Sequence, residues 1–289
     1  AAPTVFTQDD PRPELTLKRV EAIQQNKQQL SRSEQVIAII TEKMVTSDAG
    51  KSPRASAAAL SLLGLWQDKV KKNSEETVRL YIRAAGMGSS IAQNNLGVCC
   101  AASMATMDEQ KLKTAKEEAV KWYRLAAEAQ HPVAQLNLGV CFWNGEGVTQ
   151  DKQEAVKWYR QAAENGNSKA MEALGFCFNS GEGVATKNRK EGYTWYLKAA
   201  ETGSPEMQYQ IAMMNFRGDK DAGISVNKQE AVKWLRQAAA KGRDHAASQY
   251  LLGWCLMNGD GTAQNKVVAA QMFKLSAEEG SSMADALYI

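Results

Sequence analysis

Apolar and polar positions follow a helical period through residues 131–166, HPVAQLNLGVCFWNGEGVTQDKQEAVKWYRQAAENG, and most of the chain copies this unit with variations. In its first half, Ala134, Leu138, Cys141 and Phe142 share one face at the i, i+4, i+7, i+8 spacing of an amphipathic helix over 132–144. The Gly145-Glu146-Gly147 run stops that helix, because glycine adopts the left-handed conformation of a helix C-terminus without steric cost. A second helix starts at Asp151. Its carboxylate can accept from the free amides of the first turn while Glu154 reaches back, a capping box. This helix ends at Gly166.

The second helix (helix B) recurs as EEAVKWYRLAAE at 117–128, EGYTWYLKAAE at 191–201 and EAVKWLRQAAA at 230–240, with weaker versions at 76–86 and 268–278. Trp122, Trp158, Trp195 and Trp234 fall 36, 37 and 39 residues apart, and Met272 continues the column. The first helix (helix A) recurs in step as NNLGVCC (94–100), LNLGVCF (136–142), EALGFCF (172–178), YQIAMMN (209–215) and YLLGWCL (250–256), after a degenerate LSLLGLW (60–66). Expected helix-B caps are Ser74, Asp151, Asn188, Asn227 and Asn265. Two helices per unit at a 34–45 residue period predict an all-α fold, an α-solenoid.

The A-Q-x-N-L-G, G-x-G-V and E-A-V-K-W-Y-R-x-A-A pattern resembles the Sel1-like repeat, a relative of the tetratricopeptide repeat. The resemblance runs from about Ala57 to the C-terminus. It is closest in the third and fourth units and departs from the pattern where GDKDAGISV (218–226) expands the G-x-G-V loop. It implies a right-handed superhelix of about six helix-turn-helix repeats, and an adaptor that organises other proteins.

Four segments are expected: a disordered N-terminus at 1–13, a helical cap at 14–46, a polar linker at 47–56 and the solenoid at 57–289. In the cap, Leu17, Val20, Leu30, Val36, Ile37, Ile40 and Met44 recur at helical spacing, and solenoid ends need their apolar face covered. The alternative for this segment is a dimerisation or docking helix. The first dozen residues lack the basic start and apolar run of a signal peptide, and Ala-Ala-Pro at the start reads as a processed or trimmed end. ADALYI at the other end reads as helix A of a further unit, either in a fragment or as a capping half-repeat. The second unit carries an insertion, SMATMDEQKLKT (103–114), expected as a surface loop.

Composition changes this picture little. At 44% apolar and 23% charged the chain belongs with folded globular proteins. A net charge of +3 without a basic stripe argues against nucleic acid, the Lys69, Lys71 and Lys72 cluster reading as a solvated helix end. Apolar runs such as VIAII (36–40) fall far short of the roughly 20 residues of a membrane span, so no membrane insertion is expected.

Candidate chemistry is sparse. Cys99, Cys141, Cys177 and Cys255 share one helix-A column, with Met214 in the missing place. Stacked repeats set that column on the order of 10 Å apart, beyond the ~7 Å limit of a disulfide. The cysteines therefore read as small buried apolar groups, unlike those of cysteine-rich Sel1-like proteins, and favour reducing surroundings with export still open. His131 and His245 each stand at the start of a helix A, where they read as turn or capping residues. No Ser, Cys or carboxylate recurs beside them as a catalytic partner, and no metal site or cofactor is expected. Gly50-Lys51-Ser52 lacks the glycine that a phosphate loop needs at Val45. Ser225 to Lys228 matches S-x-x-K without its companion motifs and reads as a helix start. Asp219 and Asp221 mimic the beginning of a calcium loop but have no later ligands.

One face remains. With Ala134 as position 1 of helix A, positions 1, 5, 8 and 9 cluster toward the core and positions 3, 7 and 10 point away, onto the surface that the resemblance implies is concave. In units three to six these positions include Leu136, Val140, Trp143, Phe176, Tyr209, Met213, Phe216, Tyr250, Trp254 and Met257. Positions 4 and 11 add Asn95, Asn137, Asn144, Gln210, Arg217 and Asn258, whose amides can bridge the backbone of a bound segment. An apolar, aromatic stripe facing solvent suits a protein interface. Because helix A is packed on two sides, the same residues also read as inter-repeat core, position 3 above all. The sequence thus points to a non-enzymatic scaffold that binds a protein or peptide in a groove. The alternatives are a self-assembling module, pairing copies into a homo-oligomer through residues 14–46 or 281–289, and a repeat-built hydrolase.

Overall fold

The computed structural model describes residues 53–66, 74–102, 109–240 and 246–278. The 1–13 and 14–46 segments, the Gly50-Lys51-Ser52 run, the Lys69, Lys71 and Lys72 cluster, His245 and residues 281–289 lie outside the described residues. Twelve α-helices follow in order: α1 Pro53–Trp66, α2 Ser74–Gly86, α3 Ser90–Ala102, α4 Glu109–Glu128, α5 Pro132–Asn144, α6 Lys152–Glu164, α7 Ser168–Ser180, α8 Arg189–Glu201, α9 Pro205–Arg217, α10 Lys228–Ala239, α11 Ala246–Asn258 and α12 Lys266–Glu278. They form six helix-turn-helix repeats of an α-solenoid, the odd-numbered helices serving as A and the even-numbered as B. The described residues fall into two compact units that divide within α5, after Ala134, with Glu146–Val148 joining the first.

Helix starts follow the expected caps. The Asp151 carboxylate accepts from the amides of Gln153 and Glu154, and Asn188, Asn227 and Asn265 accept from the amides of Glu191, Glu230 and Val268. Ser74 opens α2, its side chain outside the described residues. The reciprocal half of the capping box does not form: the Glu154 carboxylate takes Lys157 Nζ at 2.8 Å instead. An i, i+3 ion pair satisfies that carboxylate without bending it back over the helix end.

Two expected boundaries move. Helix α1 begins at Pro53, inside the expected linker, because proline in the first turn forfeits no intrahelical bond. Of the 103–114 insertion, residues 109–114 are two further turns of α4 rather than loop, as strong helix formers such as Glu109, Gln110, Lys111 and Leu112 favour. The 218–226 loop folds as a small hairpin, with Asp219 and Ile224 exchanging backbone hydrogen bonds of 2.8 and 2.7 Å. Its two aspartates are engaged by Arg189, through Asp219 and, at 3.7 Å, Asp221.

Inside every repeat but the fifth, helix B lays a ring on the position-6 glycine of helix A. A Cβ built on Gly97, Gly139, Gly175 or Gly253 would sit 2.3–2.8 Å from a ring carbon of Tyr123, Tyr159, Tyr196 or Phe273. Gly64 meets Tyr81 in the same way, at 2.5 Å. Repeat five exchanges both partners, Ala212 for glycine and Leu235 for the ring, and buries both completely. Around this contact, position 5 (Leu96, Leu138, Leu174, Ile211 and Leu252) is buried in every one of repeats two to six.

Three contacts recur between repeats. The second glycine of the G-x-G loop lies against a carbonyl of the preceding helix B, at the first residue of α6 and α10 and inside the extended α4: a Cβ on Gly147, Gly183 or Gly261 would come within 2.2–2.5 Å of the oxygen of Lys116, Lys152 or Lys228. A basic residue at that helix start pairs with the acid of the next loop, as in Lys152 with Glu182 and Lys228 with Asp260. A glutamine at position 2 reaches back to the last turn of the previous helix B, Gln93 to the Ala85 carbonyl at 3.4 Å and Gln208 to that of Ala200 at 3.1 Å. The last contact occupies carbonyls that a helix end leaves open.

The ring contact yields a prediction. Gly139→Ala forces a methyl into the Tyr159 ring and lowers unfolding free energy by about 1–3 kcal/mol. Adding Tyr159→Leu, the combination native to repeat five, costs less than the sum of the two single changes. A double-mutant cycle by urea denaturation measures that coupling; strict additivity would show that the ring and the glycine do not constrain each other.

Candidate interaction surface

At about 100° per residue, position 3 lies about 60° and position 10 about 40° from position 6, where the ring of helix B packs. Side chains at positions 3 and 10 therefore reach the seam between the two helices of a repeat. Leu136 and Trp143 pack against the core of the second unit, as do Tyr209, Phe216, Tyr250 and Met257 farther along. Trp143 stands with its ring centroid 6.2 Å from Tyr159, Tyr250 stands 5.6 Å from Phe273, and Lys228 Nζ lies 5.3 Å above the Phe216 ring. These six residues are half-buried, and the expectation that positions 3 and 10 face away from the core is corrected: they belong to the flank of the core.

Position 7 behaves differently. Val140, Phe176 and Trp254 are 38%, 48% and 43% exposed, and Met213 is half-buried in the same column. The polar residues about 40° away at position 11, Asn144, Arg217 and Asn258, are exposed, as is Gln210 at position 4. Asn95 and Asn137 are half-buried, and Asn95 Oδ1 accepts from Asn94 at 3.3 Å. Asn258 donates Nδ2 to the Trp254 carbonyl at 3.0 Å. Phe176 joins this face to the core flank, its ring meeting Trp143 edge-on at a centroid separation of 6.2 Å.

The sequence reading missed a column. Position 0, one residue before the buried alanine, lies about 20° from position 7 because seven residues nearly close two turns. It holds Ile91 and Val133, both 44% exposed, and Val98 at position 7 of repeat two is 45% exposed. Aliphatic residues attracted less notice than aromatic ones, yet counting outward positions at i and i+7 finds them.

The described residues hold little that could run a reaction. No disulfide joins the five cysteines. Burial pushes the Cys177 thiol up to about 12 and Cys255 up to about 11, so both stay protonated and poor as nucleophiles at neutral pH. No group of three His, Cys, Asp or Glu side chains among them could hold a metal, and no helix among them is long and apolar enough to cross a membrane. His131 caps α5: its Nδ1 accepts from the Ala134 amide at 3.3 Å, which requires the neutral ring. Burial holds its pKa below the ordinary histidine value.

The Sel1 repeat family model matches residues 56–89, 90–131, 132–167, 168–204, 205–242 and 246–281. Among solved structures, a Sel1 repeat protein from Oxalobacter formigenes is 30% identical, with a TM-score of 0.65 over 78% of this chain and 88% of its own. The protective antigen c5321 of uropathogenic Escherichia coli, which displays an SLR fold, is 29% identical with a TM-score of 0.69 over 84% of this chain. This chain spans 50% of that antigen's length. No curated protein matches it.

The His131 cap titrates. With the folded pKa depressed, stability from this group is complete above the unfolded value near 6.5 and declines as pH falls below it, since the unfolded chain takes up the proton first. Between pH 7.5 and 5, wild type is expected to lose more stability than His131→Asn, which keeps a cap without a titrating ring. Equal losses by thermal denaturation would show that the ring is not buried as a neutral cap.

Proposed function

Because the chain belongs to the Sel1 repeat family, whose members generally act as non-enzymatic scaffolds for protein–protein interaction, we propose that it is an adaptor holding a segment of a partner protein on the outward face of its A helices in repeats three to six. The observation that carries this reading is the position-7 column. Val140, Phe176 and Trp254 stay open to solvent on helices whose other large apolar positions, Val133 apart, are buried or packed against the core. Folding gains nothing from leaving rings in water, whereas an interface gains from large, rigid apolar anchors.

Spacing favours an extended partner. Stacked helices lie about 8–10 Å apart, which matches three residues of extended chain at about 3.1–3.3 Å each. A segment with an apolar side chain at every third position would place one on each successive anchor. Asn144, Gln210, Arg217 and Asn258 supply amides and a guanidinium beside the anchors for its backbone carbonyls and amides. The carboxamides carry no charge and Arg217 is cationic, so the partner segment is read as neutral or acidic.

Phe176→Ala combined with Trp254→Ala tests the reading. Peptides selected on wild type from a random library are expected to bind the double variant at least tenfold more weakly by calorimetry, about 1.4 kcal/mol or more, while the melting temperature changes little. Undiminished binding would remove these anchors from the site. A large fall in melting temperature would assign them to the core.

A further inference from the structure

The first unit carries its own apolar stripe, independent of the anchors in repeats four to six. Ile91 and Val98 stand a full two turns apart on one exposed face of α3, and Val133 repeats that exposure in the first turn of α5. On α1, Leu62 and Leu65 occupy the corresponding positions 4 and 7 and are half-buried. No charged side chain occupies positions 0, 4 or 7 of α1 or α3. In repeats four and five, position 0 is Lys169 and Glu206, as an uncovered helix face would have it. Repeat six is uncharged at these positions too, with Ala247, Leu251 and Trp254; what marks the first unit is that its exposed apolar residues there, Ile91, Val98 and Val133, are all β-branched aliphatics.

The chain just before this unit has the complementary chemistry. Val36, Ile37, Ile40 and Met44, outside the described residues, recur at i, i+1, i+4 and i+8, the spacing of one apolar helix face. Met44 precedes Pro53, the start of α1, by nine residues, which span at most about 30 Å. Helices pack about 8–10 Å apart, so α3 is within that tether. An aliphatic face of this kind inserts into an aliphatic stripe with apolar burial as the whole driving force, and attachment through a short tether raises its effective concentration to the millimolar range.

We propose that residues 36–44 dock in cis, as an amphipathic helix, on the aliphatic stripe formed by α1, α3 and the first turn of α5. The first unit's outward face is then occupied by the chain itself, and the aromatic anchors of the second unit are the face left for another protein. The docked segment also adds apolar cover over Leu62 and Leu65, half-buried on α1.

A photoreactive benzoylphenylalanine at position 98 of the full chain tests this directly. Irradiation is expected to give adducts within one polypeptide to residues 36–44, read by mass mapping. Adducts to a second copy, adducts only elsewhere in the chain, or none would overturn the proposal. In parallel, Ile37→Asp/Ile40→Asp in the full chain is expected to speed amide exchange of residues 91–98 at least tenfold, with repeats four to six unchanged. Unchanged exchange in α3, or an equal rise in all six repeats, would equally overturn it. Neither readout involves Phe176 or Trp254, so failure here leaves the partner-binding reading standing, and the converse holds.

Discussion

A ring lying on a residue without a side chain is the contact on which five of the six repeats depend. Tyr81, Tyr123, Tyr159, Tyr196 and Phe273 approach their glycines so closely that no Cβ fits. The exchange in repeat five, Ala212 against Leu235, shows the same volume divided differently. Repeat four extends the rule: Gly192 opens space for Asn179, whose Oδ1 would meet a Cβ there at 2.4 Å. Close approach fixes the rotation of helix A about its axis. That rotation decides which positions enter the core, which line the seam and which are left outside.

The contacts between repeats use other parts of the unit. The G-x-G glycine over the previous helix start, the cation paired with the next loop acid and the position-2 glutamine on the previous helix end all sit at helix termini and loops. Most of the ion pairs are half-exposed and add little each; their value lies in register, since each fixes a loop to one neighbour. With cohesion placed in the seam and at the ends, the middle of helix A's outer face contributes less to it, the edge-on contact of Phe176 with Trp143 being its link to the core flank. Phe176 and Trp254 stand there.

The repeats and the helix caps were legible because glycine, proline and Asx residues act locally, through conformations and bonds that depend on a few neighbours. Asp151, Asn188 and Asn227 cap where the pattern places them. The outward face was legible only in part. A helical wheel drawn from the buried positions treats the core as one direction, but helix A is packed by helix B of the preceding repeat and by its own helix B, and the second contact widens the buried arc to include Trp143, Phe216 and Tyr250. The glycine at position 6 marks the second direction in the sequence. Ile91 and Val133 escaped notice because an aliphatic residue beside a buried alanine reads as core until the arc is known. The 109–114 extension of α4 likewise obeys helix propensity rather than the length of the neighbouring loops.

The central claim is that one helix carries two kinds of apolar residue, one holding the fold and one not. Leu174 and Phe176 on α7 put it in its sharpest form, two residues apart, one fully buried and the other about half open. Chemical denaturation of the two alanine variants is the direct measurement. Leu174→Ala is expected to cost about 2–5 kcal/mol and Phe176→Ala less than about 1 kcal/mol, the range of a residue that folding does not bury. Comparable costs at the two positions would mean that Phe176 is part of the core, and that the outward column is not a surface set aside for recognition.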